Sequence, residues 1–114
     1  MLGDIQKRSP DLGVYAKDRE ALVGRLRAHA DEIRKRGIVS LSIFGSRARG
    51  EERPDSDLDV LIAYDPRRAF SLYDLVRTER LLEDLTGVDV HVSTHDGFPP
   101  HQLGRVLKEA VGVL

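Results

Sequence analysis

With 114 residues the chain can form one ordinary domain around a single core and has no room for a second. Charged residues make up 32% of it yet cancel to a formal net charge of −1, which excludes the global basic field of a non-specific nucleic-acid binder, so a duplex partner is not indicated. Having no cysteine, the chain builds neither a disulfide framework nor a thiolate metal site.

In chain order, residues 1–16 mix Gly3, Ser9, Pro10 and Gly13 with scattered apolar positions and read as a loosely ordered lead-in or a short extra turn. This stretch lacks the apolar run of a signal peptide, and no later segment approaches the ~20 apolar residues that cross a bilayer; a soluble, cytoplasmic chain is expected. Residues 17–114 read as the folded domain. Asp18 is a candidate N-cap, Leu22, Leu26, Ala30 and Ile33 recur at helical spacing, and Arg34, Lys35 and Arg36 crowd the last turn before Gly37. One helix over 18–36 is expected. "IVSLSIF" then alternates, with Val39, Leu41 and Ile43 on one strand face and Ser40, Ser42 and Phe44 on the other, until Gly45 ends it. "DLDVLIAY" is a second strand whose apolar latter half suits the inside of a sheet, closed by Asp65-Pro66.

"SLYD" matches a capping box at Ser71, and Leu72, Leu75, Val76, Leu82 and Leu85 form an apolar helical stripe that ends at Gly87. "VDVHVS" is a third strand with valines on one face and Asp89 and His91 on the other. After Pro99 and Pro100 a last helix aligns Leu103, Val106, Leu107, Ala110 and Val111 on one side, an apolar stripe suited to the core or, in part, to a docked partner. The order predicts an α/β (α+β) domain, a small mixed sheet flanked by helices. The second and third strands, joined through a helix, are expected to be parallel with a right-handed crossover, and the first two antiparallel across a short connection.

Asp57 and Asp59 stand two apart, so both side chains project from one strand face about 6 to 7 Å apart at the backbone. Two like charges at that separation repel by roughly 2 to 3 kcal/mol at an effective dielectric of about 20. A hard divalent cation with carboxylate ligands converts the repulsion into binding, Mg²⁺ being typical where phosphates supply the other oxygens. An isolated Asp-x-Asp is common by chance; Asp89 adds weight, because a neighbouring third strand would bring all three acids to one side of the sheet. Gly45-Ser46, where a strand turns into "RARG", exposes backbone N–H groups and a hydroxyl suited to phosphate oxygens, with Arg47 and Arg49 as candidate phosphate clamps. "EERPDS" reads as a solvated loop that could close over a nucleotide. His29, His95 and His101 lack metal-ligand spacing, and His91 reads as a partly exposed strand residue. Tyr15, Tyr64 and Tyr73 are conceivable acceptors of self-modification, with structural roles the better reading for the latter two.

Gly45-Ser46, ten intervening residues and Asp57-Leu58-Asp59, in the setting "GSRARG…SDLDVLI", resemble the minimal nucleotidyltransferase branch of the DNA polymerase β-like nucleotidyltransferases. The resemblance runs from about residue 18 to the end and implies a polymerase β-like palm fold. It further implies transfer of a nucleoside monophosphate, usually AMP from ATP, to a hydroxyl with release of pyrophosphate. By that likeness Asp57 and Asp59 hold two Mg²⁺ ions, Asp89 completes the site and helps deprotonate the acceptor, and Gly45 and Ser46 hold the triphosphate. Small members of the family resemble antitoxins that silence a HEPN-domain ribonuclease toxin by adenylylating a tyrosine or by binding it. The expected partner is therefore such a toxin. Alternatives are a non-catalytic module that neutralises a partner by occlusion and a small-molecule transferase of the aminoglycoside type, against which the missing acceptor domain counts; a separate chain or a homodimer could also complete the site.

Overall fold

A computed structural model describes residues 19–51, 53 and 56–114. The lead-in 1–16, Tyr15, the proposed cap Asp18 and residues 52, 54 and 55 of the charged loop lie outside the described residues. Helix α1 (Arg19–Ala28) and the short α2 (Ala30–Arg34) come first, followed by strand β1 (Ile38–Phe44), the one-turn helix α3 (Ser46–Arg49) and strand β2 (Leu58–Tyr64). Then come helix α4 (Leu72–Thr86), strand β3 (Val90–Thr94), a 3₁₀ turn (His95–Gly97), helix α5 (Pro100–Glu109) and the two-residue strand β4 (Val111–Gly112).

The four strands form one mixed sheet in the order β3-β2-β1-β4, with β2 parallel to β3 and antiparallel to β1, as the connections predicted. Fully buried Leu22, Leu26 and Ile33 from the first helices and Leu82 from α4 pack with Leu41, Ile43, Val60 and Ile62 of the central strands. β2 lies inside the sheet, and Val60, Leu61 and Ile62 are buried on both its faces. The capping box is present: the Ser71 hydroxyl accepts from Asp74 N while the Asp74 carboxylate accepts from Ser71 N, and Gly87 closes α4 in the left-handed conformation.

Four expectations need correction. The single helix over 18–36 is broken at His29, whose ring Nδ1 donates to the Arg25 carbonyl while its backbone N–H reaches Leu26 O, three residues back instead of four. The alternation of β1 is interrupted: a register irregularity between Ile38 and Ser40 turns Ile38 inward and leaves Val39 57% exposed. The stripe of α4 is rotated, so that Leu72 and Val76 are exposed while Leu81, Thr78 and Thr86 are buried and Leu75 and Leu85 flank the core. The last helix stops at Glu109; Val111, read as helical, lies in β4 opposite Ile43, and none of the α5 side chains is buried.

Candidate active site

β1 carries the chain to one end of the sheet, Gly45 turns it into α3, and β2 starts back from the same end. In the β1–β2 ladder Phe44 stands opposite Asp59, so the glycine-serine turn and the aspartates are adjacent through backbone pairing. Gly45 has φ 77° and ψ −157°, a region in effect restricted to glycine. A Cβ there would collide with Asp59 Oδ2 and lie 3.2 Å from Asp59 Cγ. The missing side chain therefore makes the space that the carboxylate uses. The one-turn helix α3 follows directly on that glycine, so its first backbone amides lie at the turn.

On its other side Asp59 pairs in register with His91 of β3. Asp57 and Asp89 immediately precede their strands, joined at this end by a hydrogen bond from Leu58 N to Asp89 O of 2.8 Å. All three acids thus belong to one end of the sheet, with Asp57 and Asp89 exposed and Asp59 half-buried. Among the described residues no three of His, Cys, Asp or Glu form a metal-binding group. Burial pushes the Asp59 carboxyl above its ordinary range, opposed by the His91 charge and reinforced by Asp57, with smaller effects from Arg49 and Glu109.

The two arginines take different places. Arg47, read from the sequence as a phosphate clamp, is 1% exposed, and its Nε and Nη2 donate to the Ser56 carbonyl at 3.1 and 2.8 Å. Its guanidinium therefore anchors the segment entering Asp57, because a buried cation is held to polar partners and does not extend to a solvent-side ligand. Arg49 is exposed and donates to Glu51 and to Glu109 at the end of α5, at 2.8 and 3.0 Å. Two residues that carried no functional signal in the sequence support the turn: Arg19 of α1 donates to Ala48 O at 2.7 Å, and Glu109 holds Arg49. Neither contact is local, so no spacing rule could have revealed it. Among the described residues no helix is long and apolar enough to cross a membrane.

Residues 26–113 match the family model described as "Nucleotidyltransferase domain". The chain is 42% identical over 80 residues to the Methanocaldococcus jannaschii protein named "Putative protein adenylyltransferase MJ0435", covering 70% of this chain and 84% of that one. It is 34% identical over 95 residues to the "Protein adenylyltransferase MntA" of Thermococcus cleftensis, covering 82% of this chain and 94% of the relative. A solved structure described as "Structure of putative minimal nucleotidyltransferase" superimposes with a TM-score of 0.71 at 40% identity, over 82% of this chain and 94% of that one. A "Crystal structure of the toxin-antitoxin with AMP-PNP" shares the fold at a TM-score of 0.63 and 13% identity, over 77% and 72% of the two chains. The glycine-serine turn beside paired aspartates, the mixed sheet and these likenesses agree, and the chain belongs to the minimal nucleotidyltransferase branch of the polymerase β-like nucleotidyltransferases.

Proposed function

We propose that the chain is a Mg²⁺-dependent protein adenylyltransferase that moves AMP from ATP to a hydroxyl, most economically a tyrosine of a partner HEPN-type ribonuclease toxin, and so acts as its antitoxin. The observation that carries the reading is the fit of Gly45 beneath Asp59, which sets the glycine-serine turn against a carboxylate at one end of the sheet. The names of the relatives, two of them protein adenylyltransferases, support a protein acceptor. So do Leu72 and Tyr73, 76% and 69% exposed on one helix, which offer apolar surface to a partner.

The donor set fits Mg²⁺. Asp57 and Asp59 supply hard oxygens from one strand end, the donor type that ion takes together with phosphate oxygens and water. Asp57 and Asp59 would hold the metal, with Asp89 completing the set; with Mg²⁺ bound there, charge building on the α-phosphate and the departing pyrophosphate is neutralised. Ser46 and the first amides of α3 bind the triphosphate. Asp89 takes the proton of the acceptor hydroxyl as its oxygen bonds to the α-phosphorus; the bridging α–β P–O bond breaks, and pyrophosphate leaves with the electron pair. Domain boundaries follow: residues 17–114 form the transferase unit, and residues 1–16 precede it.

The test is intact-mass spectrometry of a co-expressed, co-purified partner after incubation with ATP and Mg²⁺. The expected result is a mass gain of one or more AMP units on the partner, reduced by more than about 100-fold in rate with Asp57→Asn. A stable complex that gains no mass with any of the four nucleotides would favour the binding module, and transfer by well-folded Asp57→Asn at the wild-type rate would remove the metal role.

A further inference from the structure

α5 and the 3₁₀ turn before it leave a cleft of about 340 Å³, lined by Phe98, Gln102, Arg105, Val106 and Glu109. Three contacts tie it to the end of the sheet that bears the aspartates. Glu109 both lines the cleft and accepts from Arg49 at 3.0 Å. Phe98 packs edge-to-face on Phe44, the strand partner of Asp59, with ring centroids 6.1 Å apart. β4, which follows α5 after Ala110, pairs Val111 with Ile43, so the C-terminal end of α5 is delivered beside the Gly45 turn.

Sheet order then assigns the flanks. In β3-β2-β1-β4, Asp89 precedes the strand on one side of the β2 aspartates, whereas the cleft lies on the side of β1 and β4. The nucleoside stays bonded to the α-phosphorus while pyrophosphate leaves opposite the incoming hydroxyl, so a nucleoside held in the cleft lies on the flank away from an acceptor deprotonated at Asp89.

The lining suits a planar heteroaromatic ring. Phe98 and Val106 are half-buried apolar walls, while Gln102 and Arg105, three apart on α5, share one helix face and are exposed at the rim. A glutamine amide pairs with the N6/N7 edge of adenine and an arginine with the O6/N7 edge of guanine, so either purine has a reader here. The volume falls within the range of about 300–1,000 Å³ found for small-molecule sites. We infer that the cleft between Phe98 and α5 binds the purine nucleoside of the nucleotide donor, with Phe98 as the packing surface and Gln102 and Arg105 reading the base edge. This inference rests on the nucleotidyltransferase reading and adds the donor subsite that the Gly45-Ser46 motif does not supply.

The experiment is calorimetric binding of ATP, GTP and inorganic tripolyphosphate, in Mg²⁺, to the full chain and to Phe98→Ala and Gln102→Ala. Wild type is expected to bind at least one purine triphosphate more tightly than tripolyphosphate. Phe98→Ala should weaken both nucleotides roughly tenfold, the loss expected for one base–aromatic contact, and leave tripolyphosphate unchanged. Gln102→Ala, at an exposed position that does not threaten folding, should lower the ratio of ATP to GTP affinity. The inference is overturned if both variants bind both nucleotides as wild type does, or if tripolyphosphate affinity falls in step. AMP transfer by wild type in that case leaves the transferase reading standing and only the subsite lost, whereas no binding of any of the three by wild type removes the reading itself.

Discussion

A side chain at position 45 would have to share the space of the Asp59 carboxylate while the backbone holds a conformation that only glycine adopts readily. Gly45→Ala is therefore expected to cost about 1–3 kcal/mol in stability from backbone strain and, by displacing Asp59, to abolish AMP transfer. Urea denaturation and the mass assay check the two effects separately. Arg47 makes a contrasting case, because its exposure decides its role. Arg47→Ala removes both hydrogen bonds to the half-buried Ser56 carbonyl and should destabilise the chain by about 2 kcal/mol, read as a lower urea midpoint. Arg47→Lys should not restore the two-point contact, since an ammonium lacks the planar fork. The glycine-serine turn and the aspartates were legible in the sequence because their spacing is local; the burial of Arg47 was not, because it depends on its guanidinium meeting the Ser56 carbonyl nine residues on.

Among the elements, α4 was the most legible, since its start and stop are coded within a turn of each end. Hydrogen bonds from the Ser71 backbone and hydroxyl hold the Asp74 carboxyl below its ordinary range. A depressed carboxyl adds stability above its unfolded-state value and loses it as pH falls through its folded-state value. Asp74→Asn should therefore lower the melting temperature at neutral pH, and the gap from wild type should close as pH is taken below the ordinary carboxylate range. Thermal melts at a series of pH values check this; a gap that stays constant would assign the effect to something other than the charged cap. The apolar stripe of α4 was less legible, because exposed Leu72 and Val76 fit the helical period as well as any core residue does. Periodicity identifies a helix face, but its neighbours decide how much of that face is covered.

The whole molecule manages its sheet edges unequally. β4 closes one side with only two residues, while β3 forms the other edge with five. The N–H groups of Val90 and Val92, which point away from β2, donate to the carboxylates of Glu83 and Glu79 on α4 at 3.1 and 2.9 Å. These acids occupy an edge that would otherwise template strand addition. Glu79→Ala combined with Glu83→Ala should expose it, lower stability by about 2–4 kcal/mol and produce concentration-dependent association. Light scattering across a dilution series checks the association; a monodisperse double variant would show that the edge is protected by other means.

Local sequence determined the elements whose signals lie within a few residues: the β1 turn at Gly45, the paired aspartates, the capped α4 and the parallel β2–β3 unit that a helical connection implies. Those signals act through backbone conformation and short-range hydrogen bonds, which need no knowledge of the rest of the chain. Tertiary structure alone decided that Val39 turns outward, that the first helix breaks at His29 and that Val111 joins the sheet. It also decided that Arg47 is buried and that Glu109 reaches Arg49. Each of these follows from which surfaces meet across tens of residues, and burial and long-range pairing are set by that meeting, not by the residue types alone.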